Sequence, residues 1–336
     1  MKTIVLMPTK NDAWILRKTL PCILMWADKV IISDQQSTDN TVELCKEFPQ
    51  VTILQNTNIF HSTKVRQQLL DEARKEPGNN LIFSIDSDEV VTADILNPEV
   101  LQSLEKKPIG TSFQMQWVQL WRSTKKYRND NSVWSNSYKH FAFIDDRVAS
   151  YTYEYGVNDH NSRVPTSLAK NSIKLEMPKV LHYQFVNWLR MLAKQRFYRV
   201  QDFIQTTRAL KEALKINKMY FIAKDESEIK WNDVPIEWTK GYENRGVDLQ
   251  NIKAENLFWY DVEVLKWLTK YGKKSFKLLD IWDVDWDVIK KAIEATGIHN
   301  MPKEDFSDPR NFFIKAYHSN QKKLYFVIRT LKRTGR

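Results

Sequence analysis

The stretch Leu81–Glu89, LIFSIDSDE, decides the fold. Leu81 to Ile85 read as a short buried strand. The strand runs directly into Asp86, Asp88 and Glu89. In open α/β sheets, ligands bind beyond the carboxyl ends of the strands. Three carboxylates crowded there repel one another unless they share a cation. Asp oxygens suit hard cations such as Mg2+ or Mn2+, which bridge well to phosphate oxygens. The alternative is an acidic turn in which Asp88 or Glu89 caps the next helix.

The same pattern recurs upstream. Thr3–Met7 (TIVLM), Lys29–Ser33 (KVIIS) and Val51–Leu54 read as three further strands. Helical spacing covers Asp12–Trp26, interrupted at Pro21, then Thr38–Phe48 and Ser62–Lys75. In the last of these, Val65, Leu69, Leu70 and Ala73 share one side. Strands alternating with helices predict an α/β fold, a Rossmann-like, mostly parallel sheet with helices on both faces. Polar groups gather at the strand ends. Pro8-Thr9-Lys10-Asn11-Asp12 follows the first strand, and Asp34-Gln35-Gln36-Ser37-Thr38-Asp39-Asn40-Thr41 follows the second. An Asp at a strand end accepts hydrogen bonds from a base or ribose. Ser37, Thr38 and Asp39 also suit a plain capped turn. Arg66 lies one turn into the helix before the acidic strand, as a site cation or a solvated one.

Glycine is scarce: there are eight, and the first is Gly78. The first strand-turn-helix therefore carries neither the dinucleotide fingerprint nor a phosphate-binding P-loop.

Taken in order, K-N-D, D-x-x-S-T-D-x-T, an Arg-bearing helix and D-x-D-E resemble the family 2 glycosyltransferases of the GT-A fold. The resemblance covers residues 1–95 in order and spacing, and continues more loosely to about residue 200. It implies that Pro8, Thr9, Asn11 and Asp34 line the nucleotide pocket, with Asp34 near the base and Arg66 contributing to the nucleotide-sugar site. It implies that Asp86 lies nearer the ribose and donor sugar, and that Asp86 and Asp88 hold the diphosphate through Mn2+ or Mg2+, Asp88 more directly. Many members have Gly before the Ser of the second motif, where this chain has Gln36. Some members with D-x-D-E carry a His-Glu pair and then a His-Tyr pair. Here Asn158-Asp159-His160 precedes His182-Tyr183, so Asp159 is the first candidate base, with Glu154 and Asp145-Asp146 as rivals. His182 completes the metal site or packs under the helix that begins near Trp188.

The implied function is metal-dependent, inverting transfer of a sugar from a UDP- or GDP-sugar to a hydroxyl acceptor, a glycan or a lipid-linked one. A sugar-phosphate nucleotidyltransferase is the enzymatic alternative, but such enzymes carry the glycine-rich loop missing here. A basic scaffold docking on RNA or membrane is the non-enzymatic alternative, and it leaves the strand-end carboxylates unexplained.

Beyond Gly110 the pattern changes. Thr111–Leu120 and Tyr138–Ile144 read as strands. Residues 122–137 between them read as a polar, aromatic functional loop. Trp134 there is a candidate to stack on a sugar face, as are Trp117 and Trp121, although aromatics at such spacings are more often core. Helical patterns cover 188–214, 257–271, 284–296 and 312–331, with 216–250 irregular. Lys194, Arg196 and Arg199 on the first of these face a leaving diphosphate or solvent. The expected organisation is a catalytic domain over 1–185 and a mainly helical region over 186–336.

The composition is that of a folded chain, 42% hydrophobic and 27% charged. Eight of the ten net positive charges fall after residue 309, where no acidic residue occurs. A near-neutral body with a basic amphipathic tail over 310–336 is expected, docking peripherally on an anionic membrane or packed on the body. No nucleic-acid partner is expected. Two cysteines, no long apolar run and no signal-peptide core predict a cytoplasmic protein, at most peripheral at the membrane face.

Overall fold

The computed structural model describes all residues except 58–62, 131, 133, 136, 152–162, 221–228, 253–258, 298–303 and 321–336. The chain divides into two compact units, Met1–Asn187 with Ser227–Ala254, and Trp188–Glu226 with Glu255–Arg336. The segment Ser227–Ala254, which the sequence assigns to the C-terminal region, belongs instead to the first unit.

The first unit opens with β1 (Thr3–Thr9), α1 (Ala13–Leu24), β2 (Lys29–Asp34), α2 (Thr41–Lys46), β3 (Val51–Gln55), α3 (Thr63–Ala73) and β4 (Leu81–Ser84). It continues with β5 (Glu89–Val91), α4 (Pro98–Glu105), β6 (Ser112–Gln119), β7 (Lys126–Arg128), β8 (Tyr138–Ile144), α5 (Thr166–Ala169), β9 (Ser172–Lys174) and β10 (Val180–His182). Among the described residues these strands, β7 apart, form a nine-stranded sheet in the order β3-β2-β1-β4-β8-β6-β10-β5, with β9 also on β6. β3, β2, β1 and β4 are mutually parallel, and β8 turns antiparallel against β4.

Side-chain alternation explains why both faces are covered. Successive strand residues point to opposite faces. Ile4, Leu6, Ile31 and Ile82 pack with Val65, Leu69 and Leu70 of α3. Val5, Met7, Val30, Ile32 and Phe83 pack with Trp14, Ile15 and Leu20 of α1 on the other side. Burying each such aliphatic side chain stabilises by about 1.5–3 kcal/mol. Pro21 sits inside α1 without ending it. The fold is the expected GT-A-like α/β arrangement.

The predicted loop 122–137 differs from expectation. It contains β7, which pairs antiparallel with β11 (Trp231–Asp233). Arg128 and Asp130 form a buried ion pair there at 2.8 Å. α8 (Glu237–Glu243) follows β11 and brings Trp238 and Tyr242 into the sheet's core. Gly241 makes that approach possible, because a Cβ there would lie 2.9 Å from the Ala93 Cβ.

The second unit holds α6 (Trp188–Ile204), α7 (Leu210–Met219), α9 (Trp259–Tyr271) and α10 (Trp286–Glu294), around Phe197, Val264, Leu265, Phe276 and Trp286. The predicted helix over 188–214 is broken between α6 and α7. The Thr206 hydroxyl there donates to Phe203 O and accepts from Arg208 N, competing with helical bonds. The tryptophan-rich segment Ile281–Trp286 is structural. Trp282 and Trp286 anchor the core, and Asp285 caps α10 by accepting from Asp287 N and Val288 N. Residues 312–320 are helical, and the rest of the predicted tail helix lies outside the described residues. No helix among the described residues is long and apolar enough to cross a membrane.

Candidate active site

Because β1, β2 and β4 are parallel, their carboxyl ends share one edge, and side chains tie the turns beyond them together. The Asn11 backbone N–H donates to Ser37 Oγ at 2.8 Å, and Asn11 Oδ1 accepts from Thr38 N at 2.6 Å. Asp12 joins the third turn, its Oδ2 accepting from Ser87 Oγ at 2.5 Å and from Thr9 Oγ1 at 3.2 Å. Asp34 is buried and accepts from Ser37 N at 3.2 Å. Pro8 pairs with Ser33 in the sheet, just before this edge. Thus Pro8, Thr9, Asn11 and Asp34 lie together at this edge.

Two residues in these turns adopt left-handed backbone conformations, Asn11 at φ 53° and Gln36 at φ 60°. Asn tolerates this region, and glycine is free there. The position where resembling sequences carry Gly therefore requires positive φ, and Gln36 adopts it.

Two guanidinium groups reach the acidic turn. Arg66, from α3, donates to Ser84 Oγ at 2.6 Å and lies 3.4 Å from Asp86 Oδ1. Arg163 grips the same turn. Its Nη2 donates to Asp86 Oδ2 at 2.8 Å and to Glu89 Oε1 at 2.7 Å, and its Nη1 donates to Glu89 Oε2 at 2.8 Å. No sequence motif signals Arg163, whose partners lie more than seventy residues away. Burial pushes the Glu89 carboxyl up, against the opposing charge of Arg163. Burial opposes the charge on Arg163, but Asp86 and Glu89 hold its pKa above the usual arginine value. The shared cations of the turn are therefore two guanidinium groups.

Asp88 points elsewhere. The antiparallel pairing of β5 and β10 sets His182 opposite Glu89. His182 Nε2 then lies 3.5 Å from Asp88 Oδ2. Its Nδ1 lies 2.7 Å from Gln119 Oε1, and Trp117 stacks on its ring at 4.5 Å. With Gln119 accepting the Nδ1 proton, the Nε2 lone pair faces a carboxylate oxygen, a donor pair suited to a divalent cation. Asp86 faces two guanidinium groups, Arg66 at 3.4 Å and Arg163 at 2.8 Å. Among the described residues no group of three His, Cys, Asp or Glu side chains is arranged to hold a metal.

Trp134 makes an edge contact with Phe185 at 5.7 Å, and Phe185 lies beside His182. Trp117 supports His182, and Trp121 is buried against Phe185. The rival bases Asp145 and Asp146 are removed from the site. They follow β8 at the opposite end of β4, and Asp145 is held by Arg74 at 2.7 Å. Asp159 and Glu154 lie outside the described residues. Arg196 and Arg199 are neither solvated nor free for a diphosphate. Arg196 pairs with Asp261 at 3.1 Å, and Arg199 donates to Tyr220 O at 2.7 Å. Lys194 lies 6.0 Å from the Tyr198 ring.

A mostly parallel sheet with polar turns joined at one edge, and carboxylates beyond its fourth strand, defines an α/β enzyme of the GT-A type. Residues 4–156 match the family described as Glycosyl transferase family 2. The first unit thus carries a match to a glycosyltransferase domain. No curated protein matches the chain. Among solved structures it is similar to S. aureus TarS residues 1–349, at 13% identity and TM-score 0.40, covering 91% of this chain and 95% of that one. The same protein with UDP-GlcNAc matches at 13% identity and TM-score 0.38, over the same shares. A longer S. aureus TarS chain matches at 12% identity and TM-score 0.38, over 68% of this chain, which spans half of that chain's length. At such values no functional property passes from those proteins to this one.

Proposed function

We propose that the chain transfers a sugar from a uridine or guanosine diphosphate donor to a hydroxyl acceptor, with a divalent cation and inversion at the anomeric carbon. The supporting observation is the linkage of three strand-end turns through Asn11–Thr38 and Asp12–Ser87 at the edge that carries Asp34, Asp86 and Asp88. Asp34, with Thr9 and Asn11, takes the base and ribose, as strand-end polar groups do. Asp86 accepts from hydroxyls of the ribose or donor sugar. Asp88 and His182 hold Mn2+ or Mg2+, which when bound offsets charge on the departing diphosphate. Trp134 offers a ring face to the sugar.

A carboxylate takes the proton from the acceptor hydroxyl as its oxygen bonds to the anomeric carbon, and the carbon–phosphate oxygen bond breaks with its electron pair leaving on the diphosphate. Asp159 is the proposed base, with Glu154 the alternative. Release of nucleoside diphosphate from a panel of nucleotide sugars, with Mn2+ or Mg2+, tests the reading. Slow hydrolysis of one donor is expected, and no binding or turnover across the panel would remove it.

The acceptor is proposed to be a glycan or a lipid-linked molecule presented at an anionic, cytoplasmic membrane face. Phe312 and Phe313 support this reading. Each is 78% exposed, and they sit at the start of a helix in a stretch with eight basic residues and no acid. Paired apolar and basic signals are what reversible membrane docking requires.

A further inference from the structure

We propose that Arg163 is a positioning residue of the transfer reaction, acting through Asp86. This rests on the donor-binding reading above. Arg163 reaches the acidic turn by three routes. It donates to the Asp86 carboxylate and holds both oxygens of Glu89. It also donates to the Ser84 carbonyl at 3.2 Å, at the end of β4. Glu89 in turn accepts from the Asp86 backbone N–H at 2.7 Å. The backbone of Asp86 is thus fixed by Glu89 and its side chain by Arg163. A lysine would keep the charge but lose the fork that spans both carboxylates.

The guanidinium is itself held from behind. It lies over the Phe141 ring at 4.7 Å and 5.7 Å from the Trp117 centroid. Trp117 also stacks on His182, so one indole supports both the residue that orients Asp86 and the imidazole that faces Asp88. The consequence is a division of labour between adjacent carboxylates. Asp86 is held as a fixed acceptor for donor hydroxyls, while Asp88 faces His182. Tyr151 Oη donates to Arg163 O at 2.9 Å, pinning the backbone of Arg163 as well.

The test is a double-mutant cycle in donor hydrolysis, with Arg163→Lys, Asp86→Asn and both together, at saturating Mn2+. Loss of a supporting residue of this kind costs about 10–100-fold. Arg163→Lys is expected to lower kcat/KM by that factor, and to add little to Asp86→Asn, because both remove the same oriented carboxylate. The Mn2+ midpoint should stay unchanged in Arg163→Lys, since Asp88 and His182 are untouched. Losses that multiply in the double variant would overturn the inference, as would full activity in Arg163→Lys. If Arg163→Lys fails to fold, Arg163→Met with Glu89→Met replaces the buried pair by apolar side chains of similar volume. Its folded form should show the same loss, and undiminished turnover would again overturn the role. Wild-type turnover separates the two levels: its absence sinks the donor reading and this inference with it, whereas turnover that Arg163→Lys leaves intact sinks only the role of Arg163.

Discussion

Ser87 Oγ donates to Asp12 Oδ2 at 2.5 Å, so the turns beyond β1 and β4 are one structure. Thr19 reinforces the join by donating from its hydroxyl to Ser87 O at 2.8 Å. A hydrogen bond to a charged group contributes about 1.5–3 kcal/mol. Ser87→Ala should therefore lower stability by about that amount in urea unfolding, and should reduce donor turnover. Unchanged stability would show that the two turns hold their places independently.

The buried pair Arg196–Asp261 gives a prediction for the second unit. Removing one partner of such a pair costs about 3–5 kcal/mol, whereas replacing both by apolar residues is close to neutral. Asp261→Ala should be strongly destabilising in the same unfolding measurement. Arg196→Met with Asp261→Leu should fold normally and keep donor turnover. A folded double variant without turnover would return Arg196 to the diphosphate role that its ion pair argues against.

Much of the fold was legible because its first four strands are apolar runs bounded by polar turns, a pattern set by burial on both faces. The short strands β5, β7, β9, β10 and β11 were not legible. Three residues carry too little periodicity, and their pairing depends on distant partners, as β7 with β11 shows. The candidate site was legible where polar residues follow a strand end, as at Asp34 and Asp88. It was not legible at Arg163, whose role comes only from contacts across the fold, or at Gln119, a strand residue that holds His182. Charge spacing on α6 misled for a physical reason. Arginines that read as a solvated or ligand-facing set are buried against carboxylates and carbonyls from other elements.

Burial pushes both thiols up to about 12, Cys22 on the inner side of α1 and Cys45 on that of α2, the latter also beside Asp34 and Asp39. At pH 8 only about one part in ten thousand of either is thiolate, the reactive form. Labelling with Ellman's reagent should find no reactive thiol in the native protein and two after denaturation. Native labelling at the rate of a free thiol would contradict the buried positions.

Phe312→Ser with Phe313→Ser should weaken sedimentation with vesicles containing phosphatidylglycerol. Deleting residues 310–336 should abolish the anionic-vesicle binding. Equal binding by all three proteins would exclude this stretch as the docking surface.

The most direct test of the account is metal-dependent release of nucleoside diphosphate by the wild type and by Asp88→Asn. The wild type should turn over a donor with Mn2+ or Mg2+ and stop when the metal is chelated. Asp88→Asn should keep its circular dichroism spectrum and lose about 100–1000-fold in rate, the scale of losing one strong charge-stabilising group. Full activity in Asp88→Asn, or wild-type turnover undiminished by chelation, would contradict the account.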